Sequence, residues 1–185
     1  MDTYLVFLGD AVQGSSEPTS AGLRKTLEYI GCSSIRVSSS MRDAVFQGDN
    51  PNKKMLEAQI HHELKYVAKT EAEVIVVSGR ESDGLAASHP LEDDGSPDTL
   101  YVTILAFDPA PLDVDTLLHT MNGVDEHDVR GRVVYSRYGK GYGSSRRSNE
   151  FIAKLLGVPA ITRPWGDIQD LLGLCETGAP ILPGR

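Results

Sequence analysis

The tightest constraint on the fold is a set of short, nearly unbroken apolar runs: YLVFL at 4–8, VIVVS at 74–78, TLYVTILAF at 99–107 and RVVYS at 132–136. A strand that is apolar at consecutive positions has no solvent face, so it belongs inside a sheet covered on both sides. Two weaker runs, IRVSS at 35–39 and PAIT at 159–162, join them. Between the runs, apolar residues recur at helical spacing. The stripes are Leu23, Leu27 and Ile30, then Leu56, Ile60, Leu64 and Val67, then Leu117, Leu118 and Met121, and finally Phe151, Ile152, Leu155 and Leu156. Gly31 and Gly157 stand where left-handed helix caps belong, and Asn50-Pro51 reads as a cap and first turn. Strands alternating with helices predict an α/β fold, a three-layer sandwich with a mainly parallel sheet of five or six strands.

No internal repeat is visible, and residues 1–175 read as a single α/β domain. A chain of 185 residues is long enough to bury roughly 70% of its unfolded surface. Residues 80–98, RESDGLAASHPLEDDGSPD, are too long and polar for a plain connection and are expected as a lid-like or hairpin insertion. Residues 176–185 carry no element signal and read as an irregular tail.

No apolar run approaches the roughly 18 residues of a membrane span, so no membrane partner is expected. The start, MDTYLVFLGD, has no basic leader region and reads as a first core strand. Cys32 and Cys175 form no CxxC pair, which fits a reducing cytoplasm, and Cys32 reads as a small buried thiol at a helix end. A net charge of -8 argues against a general nucleic-acid binder.

That net charge hides a segregation. From Glu81 to Val129 there are twelve acids and no lysine or arginine, whereas Arg130 to Arg147 holds six cations and no acid. The basic stretch, RGRVVYSRYGKGYGSSRRSNE, is also rich in glycine, serine and tyrosine. In open α/β sheets, ligands bind where the loops leave the carboxyl ends of the strands. After the fifth predicted strand, Gly139, Gly141 and Gly143 free the backbone to turn its N–H groups onto an anion, while Ser144, Ser145 and Ser148 are candidate caps for the next helix. Arg137, Lys140, Arg146 and Arg147 add formal charge, and Tyr135, Tyr138 and Tyr142 offer faces for a ring. After the first strand, Ser15 and Ser16 beside Gly14 form a weaker version of the same site, although capping by Ser16 or Ser20 explains them equally. After the third, Arg80 is a further ligand candidate.

These features predict binding of an anionic, phosphate-bearing or nucleotide-like small molecule at the carboxyl edge of the sheet. If the protein is an enzyme, hydrolysis or group transfer is the expected class, with Asp10 and Glu81 as the carboxylate pair that activates water. The sequence leaves the cofactor, if there is one, unknown. Two alternatives stand beside this reading. One is a non-catalytic assembly protein, a homo-oligomer in which the basic 130–147 segment meets the acidic 81–98 segment. The other is a metal-dependent hydrolase, using Asp125-Glu126-His127-Asp128 or His89 with Glu92, Asp93 and Asp94, although the order matches no zinc or calcium loop. His61-His62-Glu63 lacks metal spacing, and His61 four residues after Glu57 reads as surface pairing. GYGSS lacks the GxSxG of a hydrolase elbow. Trp165 reads as packing or the wall of a pocket.

Overall fold

The computed structural model of the protein describes residues 1–40, 42–50, 52–86, 89–91, 99–119, 125–139, 142 and 149–176. The chain divides into two compact units, unit 1 from Met1–Ala86 and Gln169–Arg185 and unit 2 from Ala87–Ile168.

Unit 1 runs β1 (Asp2–Ala11), α1 (Ser20–Tyr29), β2 (Ser33–Val37), β3 (Asp43–Gly48), α2 (Lys53–Glu63), β4 (Ala72–Ser78) and α3 (Gly79–Ala86), with a π-helical turn at Leu64–Ala68 extending α2. The strands lie in the order β2-β3-β1-β4, and every neighbouring pair is antiparallel. Each crossover helix therefore joins strands that do not touch. Helix α1 carries the chain from β1 to β2 with β3 between them, and α2 carries it from β3 to β4 with β1 between them. This is the split βαβ arrangement, βαββαβ. One face of the sheet, through Tyr4, Val6, Leu8, Ala44, Phe46, Val74 and Val76, packs on Leu23 and Leu27 of α1 and on Leu56, Ile60 and Leu64.

Unit 2 repeats the order. It runs β5 (Leu100–Leu105), α4 (Pro111–His119), β6 (Asp125–Arg130), β7 (Val133–Tyr138), α5 (Asn149–Leu156) and β8 (Ala160–Pro164), and the next helix, α6 (Trp165–Glu176), has its first residues in unit 2 and the rest in unit 1. Its sheet has the order β6-β7-β5-β8, again antiparallel throughout. Leu105, Val134 and Ala160 pack on Leu117 of α4 and on Ile152 and Leu156 of α5. The repeat is one of topology, since no residue pattern announces it.

These sheets correct the expected architecture. In place of a mainly parallel sheet of five or six strands in a three-layer sandwich, the described residues form two four-stranded antiparallel sheets with helices. Three of the four apolar runs, β1, β5 and β7, are central strands, whereas the fourth, β4, lies at the edge of its sheet. Leu5, Val6, Phe7 and Leu8 of β1 and Val102, Thr103, Ile104 and Leu105 of β5 are all fully buried, so both faces are covered. Burial on both faces says nothing about strand direction, and direction was decided by β3 and β6, which the apolar-run criterion passes over. Strand β3 (DAVFQG) has only three consecutive apolar residues, and β6 (DEHDVR) is an edge strand with three acids. Each pairs with the strand before or after it in a hairpin (β2 with β3, β6 with β7), which reverses the direction expected of the next strand.

The helix ends are legible in detail. Helix α1 closes in a Schellman turn, with Cys32 N–H donating to Leu27 O at 2.9 Å, Gly31 N–H to Glu28 O at 3.1 Å, and Gly31 at φ 86°. Gly157, at φ 64°, ends α5 in the same manner. The cap of α2 is Asn52, whose side chain accepts from Met55 N–H at 3.2 Å, and not Asn50. Helix α3 occupies the start of the expected 80–98 insertion, while residues 92–98 of that insertion and 177–185 of the tail lie outside the described residues. Among the described residues, no helix is long and apolar enough to cross a membrane.

Strand β3 is a core strand despite its modest sequence signal. Replacing the fully buried Phe46 by alanine is expected to cost about 3–5 kcal/mol in urea unfolding. A loss below about 1 kcal/mol, the level of an ordinary surface change, contradicts that placement.

Candidate functional site

The site of interest forms where β4 gives way to α3. Ser78-Gly79-Arg80-Glu81 has the S-x-x-E pattern of a capping box, and its acidic half forms, with Glu81 reaching back to Ser78. Glu81 Oε2 accepts from the Ser78 N–H at 2.8 Å and from the Ser78 hydroxyl at 2.6 Å. The other oxygen, Oε1, is ion-paired with Lys53 Nζ on the first residue of α2. Ser82 donates its hydroxyl to Gly79 O at 2.6 Å, tightening the first turn. The turn also lies close to β1, since a Cβ on Gly79 would stand 3.3 Å from Thr3 O.

This arrangement walls an open cavity of about 760 Å³, lined among others by Tyr4, Lys53, Ser78, Arg80, Asp83 and Cys175, all within unit 1. Arg80 is exposed on its wall, and among the described residues it has no ion-pair partner. The Tyr4 ring is packed against Phe46 at 5.7 Å, and its hydroxyl donates to Asn50 O at 2.8 Å, so it supplies floor and not a free stacking face. The chemistry on offer is therefore the Arg80 guanidinium at the start of α3, with Lys53 already paired to Glu81 and an acid, Asp83, on the same lining.

Arg80 lines this cavity, whereas Glu81 stands behind the lining, held by Ser78 and Lys53, and the expected partner Asp10 is remote from both. In the antiparallel register Ser78 lies opposite Tyr4, and Asp10 is six residues further along β1, about 20 Å away at ordinary strand rise. Asp10 is nearly fully exposed and pairs with Arg42, which Glu17 also contacts at 3.3 Å. Ser15 and Ser16 have their N–H groups committed, to Val12 O at 3.0 Å and Lys69 O at 2.9 Å, and the Ser15 hydroxyl donates to Glu71 O at 3.3 Å. Helix α1 is capped by Thr19, which accepts from Gly22 N–H at 3.1 Å, and not by Ser16 or Ser20.

In unit 2, Arg137 is paired with Glu126 at 2.6 Å, directly across the β6–β7 ladder, and Arg130 with Asp128 at 2.8 Å. Lys140, Gly141, Gly143, Ser144, Ser145, Arg146 and Arg147 lie outside the described residues. The tyrosines expected to stack a ligand are engaged with other rings, Tyr138 edge-on to Tyr142 and Tyr135 edge-on to His89. Tyr142 lies on Tyr101 at 4.6 Å with its hydroxyl accepting Asn149 N–H at 2.8 Å, and Tyr135 and Tyr138 are buried. Burial pushes the Tyr138 phenol up, well away from ionising at neutral pH. Beside it, buried His127 holds Ser136 Oγ at 2.8 Å through Nδ1. Trp165 packs edge-on to His89 at 5.4 Å. Among the described residues, no three histidines, cysteines or acids cluster in a way that could hold a metal ion.

Lys53, Tyr4 and Cys175 escape the sequence reading because they come from three separate stretches that only the sheet brings together. The capping box was available: SGRE straight after VIVVS marks a helix start. Burial pushes the Cys32 thiol up to about 11, away from the thiolate form a nucleophile needs. Glu57 does not serve His61 either. Its Oε1 accepts Val76 N–H from β4 at 2.8 Å.

With both oxygens engaged, Glu81 holds structure. Glu81→Ala is expected to cost about 2 kcal/mol in denaturant unfolding, because charge-assisted hydrogen bonds at a cap are lost. Asp10→Ala, breaking an exposed pair, should cost below about 1 kcal/mol. Equal losses would contradict the contrast.

Comparison with solved structures shows a likeness to a conserved bacterial protein, SP0830, from Streptococcus pneumoniae. The two are 12% identical with a TM-score of 0.61, over 95% of this chain and 99% of that one. At that identity the likeness extends to the fold alone. No curated protein matches the sequence. Residues 1–135 of the 185, covering all of unit 1's first stretch and continuing through β5, α4 and β6 into β7, match one family model. The chain thus belongs to the family described as Protein of unknown function (DUF1697).

Proposed function

We propose that this protein binds a small anionic molecule, one bearing a phosphate or carboxylate, in the unit 1 cavity at the carboxyl end of β4. The observation that carries the reading is Arg80, exposed on the wall of a cavity of about 760 Å³ with Lys53 beside it and the first turn of α3 as floor. A guanidinium gives two parallel N–H donors to such an anion, and the helix terminus adds partial positive charge. The nucleotide-like part of the expectation leaned on tyrosines that are buried or packed against other rings, so the proposal is narrowed to the anionic group. Binding, and not a named reaction, is proposed, because both Glu81 oxygens are engaged and Asp10 lies at the other end of the strand. A cytoplasmic setting suits the two free cysteines.

A second reading keeps the basic stretch for charge pairing. It is supported by Arg137 with Glu126 and Arg130 with Asp128, which neutralise acids of the same unit.

Thermal unfolding with inorganic phosphate, nucleotides and citrate separates the two. A ligand at a hundred times its dissociation constant adds about 2.7 kcal/mol of stability. The Arg80→Ala variant should bind the stabilising anion at least roughly tenfold more weakly. Unchanged affinity in that variant, with loss in Arg146→Ala/Arg147→Ala instead, overturns the cavity as the site.

A further inference from the structure

Strand β4 forms an edge of its sheet. Strand β1 pairs with one side of it, and among the described residues no strand pairs with the other. Along an antiparallel edge, alternate N–H groups point away from the neighbouring strand. Val76 and Ser78, which face Val6 and Tyr4 and stand two residues apart, have N–H groups of that outward set. Both meet a carboxylate at the same distance. Val76 N–H donates to Glu57 Oε1 at 2.8 Å, and Ser78 N–H donates to Glu81 Oε2 at 2.8 Å. The two acids come from different helices, Glu57 from the middle of α2 and Glu81 from the first turn of α3. Two side chains thus stand where the carbonyls of an added strand would stand.

An open edge is a template for another strand, and the sequence of β4 makes the hazard acute. AEVIVVS is rich in valine and isoleucine, contains no proline, and carries one charge. The partner most constantly at hand for such a strand is the same strand of a second copy. We propose that Glu57 and Glu81 are edge guards, which occupy the outward N–H groups of β4 and keep it from pairing with a second copy of this chain. Lys53, bound to the other oxygen of Glu81, holds one guard in position.

The test compares wild type with Glu57→Ala/Glu81→Ala and Glu57→Gln/Glu81→Gln by sedimentation velocity over a range of concentrations. The alanine pair should sediment as larger species as concentration rises, relative to wild type. The glutamine pair, whose amide oxygens still accept the N–H groups, should follow wild type. Because the loss of Glu81 also removes a cap, Glu57→Ala alone provides the milder variant, and amide hydrogen exchange provides the local readout. In Glu57→Ala the Val76 amide should exchange at least about tenfold faster than in wild type. A folded alanine pair that sediments as wild type at every concentration overturns the proposal, as does unchanged Val76 exchange in Glu57→Ala.

Discussion

Everything in unit 1 hangs on β1 as a central strand that satisfies two neighbours and two faces at once. Its residues Leu5 to Leu8 are fully buried, with β3 hydrogen-bonded along one side and β4 along the other. Burying four large side chains in succession is worth several kcal/mol at ~25 cal/mol per Å², and it leaves no freedom in register, since a one-residue slip would exchange the two faces. The register then dictates what can meet what. Ser78 falls opposite Tyr4, which sets the β4–α3 turn against the start of β1, and Asp10 is carried to the other end of the sheet.

The turn itself is made rigid by one carboxylate. Glu81 joins three elements: it ties the last residue of β4 to the first turn of α3 and holds Lys53 on α2. A carboxylate so engaged holds structure and is poorly placed to take a proton from a substrate, whereas Arg80, one residue earlier, is exposed on the cavity lining. On the proposed reading, structure and binding are divided between adjacent residues. Local order at the site comes from the acid, and the charge available to a ligand comes from the arginine.

Much of the chain was legible because its signals are local. The buried runs of β1, β4, β5 and β7, the Schellman turns at Gly31 and Gly157, and the stripe Leu56–Ile60–Leu64 all follow from spacing within one element. What escaped depends on pairing. Strand β6 reads as polar because an edge strand needs apolar residues on neither edge nor outer face, yet Asp125 and His127 are buried on it. Without β3 and β6, βαββαβ collapses to βαβαβ, and antiparallel sheets are mistaken for a parallel one. The carboxylate pair Asp10 and Glu81 was a direct consequence, since carboxyl ends of parallel neighbours lie together and those of antiparallel neighbours lie apart. The capping box at Ser78 was local and readable, and it names Glu81 a helix residue before it can be a base.

The central claim is that the β4–α3 turn presents Arg80 to an anion. Titrating isotopically labelled protein with inorganic phosphate, and following backbone amide resonances, tests it most directly. The account predicts saturable shifts at Ser78, Gly79 and Arg80 that disappear in Arg80→Ala while the rest of the spectrum stays folded. Shifts confined to unit 2, or identical shifts in the variant, would contradict it.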